Sequence, residues 1–280
     1  MASNAQRAAA HRLAPFVLGP VGGTRRADAV RLDGTRILLT GASSGIGRAA
    51  ALRTAARGAE LLLVARRAGE LEQLCAEIAA HGGKAEYRVC DMADQAQVAE
   101  LVESLDGPVD VLINNAARSI RRPLTESFDR LHDFQRTMAV NYFGAVQLTL
   151  GVVPGMLARG GGHVLDVCTW TVAADSSPRF AAYHASKAAL AGFNRSAGAE
   201  LAAAGIAFTT IGYPLVHTAM SSPTERYRRL PGLTPDQAAD WILTALRTRP
   251  VRMVPRYAAL LRAVNQVSPR TVDRLLARRS

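Results

Sequence analysis

The chain has 280 residues, 49% of them hydrophobic and 20% charged, which suits one α/β domain with a large buried core and requires no second domain. A formal net charge of +11 raises the question of nucleic acid, but the arginines are spread along the chain rather than gathered with stacking aromatics, so no nucleic-acid partner is expected. Cys75, Cys90 and Cys168 are scattered and odd in number, the six histidines form no ligand-spaced cluster, and no stretch reaches the roughly 20 apolar residues of a membrane span; the expectation is a reduced, cytoplasmic protein without disulfides or metal.

In chain order, residues 1–33 read as an N-terminal extension whose apolar segment Phe16-Val17-Leu18 is too short for a secretory core. Residues 34–255 follow as the folded domain. Arg36 to Thr40 is a short apolar strand that runs into Gly41-Ala42-Ser43-Ser44-Gly45-Ile46-Gly47 and then an alanine-rich helix. Strand, glycine turn and helix N-terminus together suit a pyrophosphate, because glycine lets the backbone approach and the helix offers amides and a positive dipole end. The second strand, Leu61 to Ala65, ends in Arg66-Arg67 with no carboxylate, an arrangement that favours a ribose 2′-phosphate and hence NADP. Further strand-like runs are Ala85 to Cys90, Val109 to Asn114, His163 to Thr169, Ile206 to Ile211 and Val251 to Val254. Their alternation with helical stretches predicts an α/β fold, a single doubly wound parallel sheet of Rossmann type with helices on both faces.

Between the last two pairs of strands lies Tyr183-His184-Ala185-Ser186-Lys187. Lys84 is the only other lysine in a chain that otherwise uses arginine. A Lys one helical turn after a Tyr shares its face, and an ammonium ion near a phenol lowers the phenol pKa from about 10 toward the range of a general acid or base. Residues 256–280 form a basic tail in which Tyr257 to Val264 and Val272 to Arg279 show apolar positions at helical spacing, predicting two amphipathic helices. Packing on this subunit or a neighbour is the leading reading of their apolar faces, and contact with an anionic membrane is the alternative.

The Thr-Gly-x-x-x-Gly-x-Gly turn combined with Tyr-x-x-x-Lys resembles the short-chain dehydrogenase/reductase family from about Asp33 to Pro255. The resemblance implies a nicotinamide cofactor contacted by Gly41, Ser43, Ser44, Gly45, Ile46 and Gly47, by Arg66 and Arg67, by Asp91 and Met92 at the adenine, by Asn114 and Ala116 in Asn114-Asn115-Ala116-Ala117, by Tyr183 and Lys187, and by Pro214, Val216 and Thr218 at the nicotinamide. It also implies that Asn141 supports a water linked to the lysine. Ala117 and Leu215 stand where the family has glycine. Where the family has a Ser-Ser pair at the end of the fifth strand, this chain has Cys168-Thr169; counting forward selects Thr169 for the second serine, counting back from Tyr183 selects Trp170, and a one-residue insertion before Pro178 reconciles the counts in favour of Thr169.

A narrower similarity joins Arg118 to Arg122, Phe128 to Phe134, Thr209 to Ile211, Pro214 to Val216 and Ser222 to Asp240 to the reductase domain of bacterial fatty acyl-CoA reductases. It implies hydride transfer from NADPH to a small-molecule carbonyl substrate, a long-chain acyl thioester or fatty aldehyde, with Tyr183 as proton donor, Lys187 binding ribose, Thr169 orienting the carbonyl and Asn141 holding the relay water. Arg118, Arg121 and Arg122 would attract coenzyme A phosphates and Met220 to Leu230 would cover the chain. A homo-oligomer is expected. The alternatives are a tailoring ketoreductase for bulky ketones and a cofactor-binding scaffold with little turnover.

Overall fold

Strands that are apolar at successive positions need cover on both faces, and this requirement organises the computed structural model, which describes residues 17–21 and 31–279. Its strands are β1 (Pro20–Val21), β2 (Arg36–Thr40), β3 (Glu60–Ala65), β4 (Lys84–Val89), β5 (Val111–Asn114), β6 (Gly162–Thr169), β7 (Ile206–Tyr213) and β8 (Arg252–Pro255). They form one eight-stranded sheet in the order β1-β8-β7-β6-β5-β2-β3-β4, parallel throughout except for β1 against β8. The helices are α1 (Gly45–Ala55), α2 (Ala68–Ala80), α3 (Gln95–Glu103), α4 (Leu131–Met138), α5 (Ala145–Ala158), α6 (Ala181–Leu201), α7 (Pro235–Thr248), α8 (Arg256–Val267) and α9 (Pro269–Arg279).

The strand period of two divides the core. Ile37, Leu39, Leu61 and Leu63 face one way and pack with Leu71 and Leu74 of α2 and Ile242 and Leu243 of α7, while Leu38, Leu62 and Leu112 face the other and pack with Val98 of α3 and Leu148 and Val152 of α5. Leu38, Leu39 and Leu63 are wholly buried, so truncating any one to Ala would cost about 2–5 kcal/mol. The strand order reverses between β2 and β5, and in such sheets ligands bind outside the carboxyl ends of the strands at that point. Gly41, Asn115 and the residues after Thr169 stand there.

Both terminal segments reach the folded domain. Residues 1–16 and 22–30 of the N-terminal extension lie outside the described residues, but Pro20 and Val21 pair with Pro255 and Val254, and Leu32 is buried in the core. The extension therefore contributes to the sheet. The C-terminal tail is likewise part of the fold: both expected helices form, Ala258 packs with Ala173 and Val254, and Val272 and Leu276 pack with Ala174.

Helix α4 passes through a π-turn, Ala139–Gly144, directly into α5. The continuous helix of 28 residues is long and apolar enough to cross a membrane by length and composition, contrary to expectation, yet 44% of its most apolar window is buried inside the fold. Leu148, Val152 and Met156 spend that apolar surface on the sheet.

Candidate active site

At the turn after β2, Gly41 has φ +68°, and a Cβ there would lie 2.8 Å from the Ala116 Cα; at Gly47 a Cβ would lie 2.2 Å from the Gly41 carbonyl oxygen. Only glycine lets this loop close against both α1 and the β5 loop. Asn115 clamps it, its Nδ2 donating to the carbonyls of Thr40 (3.0 Å) and Gly41 (3.1 Å), while Thr40 Oγ1 accepts from the amides of Asn115 and Ala116. The N-cap Ser44 makes no side-chain cap bond and the first turn of α1 has no acidic residue, so the positive end of the helix is left for an anion. These features fit a dinucleotide pyrophosphate. The side chain of Thr218 approaches to 3.1 Å of a Cβ built at Gly45, which brings the segment after β7 to the glycine turn. Pro214 and Val216 in that segment are buried, and the backbone of Leu215 and His217 is hydrogen-bonded to Leu233.

Both arginines after β3 reach this end of the sheet. Arg67 donates to Ser43 Oγ at 3.0 Å and pairs with Glu70 at 2.7 Å; Arg66 stands 3.7 Å from the carboxylate of Asp91. Arg67 is thus the guanidinium tied to the glycine turn, although Arg66 is the nearer to the strand in sequence. Asp91 also accepts from the amide of Ala93 at 3.0 Å, and Met92 is buried beneath the π-turn, where its carbonyl stands 2.0 Å from a Cβ built at Gly144.

The four expected catalytic side chains come from three elements. Tyr183 and Lys187 lie one turn apart on α6, and Lys187, only 1% exposed, donates from Nζ to the Val167 carbonyl of β6 at 2.7 Å. Thr169 ends β6 in register with Tyr213 and caps the 3-10 turn Trp170–Ala173, its Oγ1 accepting from the Thr171 amide at 3.4 Å and lying 3.2 Å from Thr171 Oγ1. Thr171 Oγ1 in turn is 3.3 Å from His184 Nδ1. Trp170, the competing residue in the register, stacks edge-on against Tyr257 of α8 with ring centroids 5.1 Å apart. Asn141, on the π-turn, is completely buried. Its Oδ1 accepts from the Arg118 amide (2.7 Å), and its Nδ2 donates to the Arg118 carbonyl and to Ser186 Oγ (2.9 Å each). Ser186 passes the connection to the Tyr183 carbonyl at 2.7 Å. The Asn141 side chain therefore fastens the Arg118 loop to α6, with its bonds taken up by protein groups.

The electrostatics reverse one expectation. Burial raises the phenol pKa of Tyr183, with Cys168 adding to the rise, and burial lowers that of Lys187 against the opposing influence of Cys168 and Asp166. The expected lowering of the Tyr183 pKa by Lys187 is not seen: partial burial raises the phenol, which is half-buried, while Lys187 is wholly buried and its ammonium is bonded to a backbone carbonyl. Cys168, in the place of the family's first serine, has its thiol pushed up to about 12 by burial, which keeps it a packing residue.

Asn114 and Asn115 share a dipeptide but serve different partners. Asn114 was expected at the cofactor, but its side chain points beneath the sheet, donating to Asp166 Oδ1 (2.9 Å) and Thr149 Oγ1 (3.1 Å); Asn115 is the one that shapes the glycine turn. Successive side chains leave a strand on opposite faces, so one of the two had to turn inward. Asp166 also accepts from Asn194 Nδ2 at 2.9 Å, and burial pushes its carboxyl up to about 6. Asp166, Asn194, Thr171, His184 and Ser186 carry no recognisable motif in sequence, since their partners are set by the fold.

The loop from Arg118 to Pro123 borders the site. Arg122 bonds through its amide to the Arg179 carbonyl at 2.7 Å, just ahead of α6, and its guanidinium joins those of Arg130 and Arg136 around Asp133, a side chain 4% exposed. Tyr227, in the 3-10 turn Glu225–Arg229, hydrogen-bonds Arg121, so the segment 220–230 is tied to the arginine loop.

A glycine turn, a Tyr-x-x-x-Lys helix and a hydroxyl-bearing strand end meeting at one sheet edge can serve carbonyl reduction, and comparison decides the family. A sequence model of short chain dehydrogenases matches residues 35–228. The chain belongs to the short-chain dehydrogenase/reductase family. It is an oxidoreductase of that family. A fatty acyl-CoA reductase of Mycobacterium tuberculosis is 47% identical over 254 residues, 90% of this chain and 86% of the relative. A fatty acyl-CoA reductase of Acinetobacter baylyi is 45% identical over 85% of this chain and 81% of its own length. Among solved structures, a putative NAD(P) dependent gluconate 5-dehydrogenase from Beutenbergia cavernae with bound NADP superposes with a TM-score of 0.71, at 31% identity, covering 76% of this chain and 89% of that one.

Proposed function

We propose that this protein reduces a long-chain acyl thioester or the derived fatty aldehyde with NADPH as reductant. The observation that carries the reading is the fastening of α6, which bears Tyr183 and Lys187, to the carboxyl end of β6, by Lys187 on the Val167 carbonyl and by His184 on Thr171 next to Thr169, in a sheet whose β2 ends in a turn only glycine could close. A dinucleotide held there would supply the hydride. Tyr183 gives its proton to the carbonyl oxygen; a phenol whose pKa is raised keeps that proton at neutral pH, which suits reduction. Thr169 donates a second hydrogen bond to the same oxygen, and Lys187 holds the cofactor ribose. The Asn141 side chain fixes the Arg118 loop to Ser186 of α6, the residue before Lys187.

NADP over NAD is supported by the two guanidiniums, Arg66 and Arg67, that directly follow β3, where the sequence has no carboxylate. The thioester is supported by the names of the two relatives above and by the basic loop Arg118–Arg122 beside α6, whose Arg122 shares the single buried carboxylate of Asp133 with Arg130 and with Arg136 of α4. Exposed Leu124, Phe128, Leu131, Leu150 and Leu157 on and before the long helix support a homo-oligomer, and three free thiols support a cytoplasmic setting. The apolar positions Ala258, Val272 and Leu276 of the C-terminal helices are covered by this subunit, which leaves Leu260, Val267 and Leu275 as the only large apolar side chains there for a membrane surface among the described residues.

The test is NADPH oxidation by the purified protein with a long-chain acyl-CoA, a long-chain aldehyde and a bulky cyclic ketone. Turnover of the first or second, with NADH much poorer, is expected. Turnover of the ketone alone would replace this reading with a tailoring ketoreductase, and no turnover of any of them with tight NADPH binding would leave a scaffold.

A further inference from the structure

The Thr169 hydroxyl has one proton and two acceptor lone pairs, and its use depends on where that proton points. The structure places a short chain of polar groups behind it: the Thr171 amide 3.4 Å and Thr171 Oγ1 3.2 Å from Thr169 Oγ1, then His184 Nδ1 3.3 Å from Thr171 Oγ1. Among the arrangements of protons these positions allow, two have opposite consequences for Thr169. With Nδ1 bare, it accepts the Thr171 proton, Thr171 Oγ1 accepts the Thr169 proton, and the Thr169 hydroxyl is turned away from any substrate. With a proton on Nδ1, the ring donates to Thr171 Oγ1, the single Thr171 proton is directed to Thr169 Oγ1, and that oxygen then has both acceptor sites filled, by the Thr171 amide and hydroxyl. The Thr169 proton is left for the substrate oxygen.

We propose that Thr171 and His184 form a positioning relay, with the His184 proton on Nδ1, that aims the Thr169 hydroxyl at the substrate carbonyl. The inference rests on the reading of Thr169 as the donor to that oxygen. It assigns a task to two side chains that do not touch the substrate themselves: His184 follows the catalytic tyrosine on α6, and Thr171 is 9% exposed in the 3-10 turn that Thr169 caps. The β-branch of Thr169 restricts χ1, so the remaining freedom is the rotation of its O–H bond, which is the freedom the relay removes. A strand-end hydroxyl without such partners would divide its proton between several acceptors and hold the carbonyl less often.

A double-mutant cycle on the full chain tests this, with NADPH oxidation by a long-chain aldehyde as readout and NADPH binding by fluorescence as the control for folding. Thr171→Val keeps the shape of the buried side chain and removes its hydroxyl; kcat/KM should fall about tenfold, as for loss of a directing hydrogen bond, with NADPH affinity unchanged. Thr171→Ser should restore most of the activity, and His184→Phe should resemble Thr171→Val. In a Thr169→Ala background Thr171→Val should cost nothing further, because there is no proton left to aim. Wild-type activity in Thr171→Val alongside an impaired Thr169→Ala overturns the relay while sparing the role of Thr169. Additive losses in the double variant also overturn it, since they mark a merely structural effect. Full activity in Thr169→Ala overturns the reading of Thr169 itself and the relay with it.

Discussion

Replacing Asp166 by Asn should make the protein more stable relative to wild type as pH rises, and the size of the effect follows from the surroundings of the carboxyl group. Asp166 is 1% exposed in the middle of β6, and burial is the largest influence on it; the amides of Asn114 and Asn194 and the charge of Lys187 oppose burial without overcoming it. Its carboxyl titrates at about 6 in the fold against 3.8 for an unperturbed aspartate. The folded state thus holds the proton more tightly than the unfolded chain. Ionising it costs nothing below the unfolded value, costs progressively more as pH rises toward about 6, and costs a constant amount above that. The difference between these two values corresponds to about 3 kcal/mol. Asn removes the charge but turns one N–H toward an Asn donor, an offset of about 1 kcal/mol that does not vary with pH. Urea unfolding of both proteins from about pH 4 to pH 8 isolates the pH-dependent part. The stability of Asp166→Asn minus that of wild type should climb by about 2 kcal/mol between pH 4 and pH 7 and then level. A difference that stays flat, or falls with rising pH, refutes the argument that burial dominates this group.

Tyr183→Phe should abolish carbonyl reduction, by about three orders of magnitude or more in kcat, while leaving NADPH binding by fluorescence titration nearly unchanged; turnover near the wild-type rate would remove the phenol from the mechanism. Arg67→Ala, which frees Ser43, should weaken NADPH by about 1.5–3 kcal/mol and NADH far less, with Arg66→Ala showing a selective effect of its own; equal losses for both cofactors in both variants would contradict the 2′-phosphate assignment. Val272→Asp places a charge at a position with no exposure, packed with Ala174, and should destabilise by about 3 kcal/mol or more and lower carbonyl turnover more than NADPH affinity. A thermal melt of that variant matching wild type would mean that α9 does not hold the turn after β6.

What the sequence discloses here is set by how local the determining interactions are. The parallel strands were legible because each is a run such as Arg36 to Thr40 or Ile206 to Ile211 bounded by glycine or polar residues, and their ends fall within a few residues of expectation. The pairing of Tyr183 with Lys187 needs only helical spacing. The direction of the Tyr183 pKa needs the surroundings of both groups, and there the sequence argument failed. Strand β1 left no trace because two residues have no period, and its partner β8 lies at the far end of the chain. Asn114 and Asn115 are the same residue type side by side, so only the sheet could decide that the first serves Asp166 and the second the glycine turn. The contacts of Thr171 with His184 and of Asn141 with Ser186 span loops whose lengths encode nothing about where they end.

The pairing of Pro20 and Val21 with Pro255 and Val254 also constrains the order of events when the chain is made. An emerging polypeptide can assemble β2 through β7 as each strand leaves the ribosome, but the early strand must wait for a partner synthesised after almost everything else. Contacts of such large sequence separation are the slow ones in folding. Until β8 arrives, β7 has an open flank, a template for strands of another chain, and the helices that cover Trp170 and Ala174 have not been made. The Thr169 turn would then lack its backing. Residues from β8 onward therefore close this flank of the sheet and back the turn after β6, so a product that stops before them would leave an adhesive strand edge uncovered.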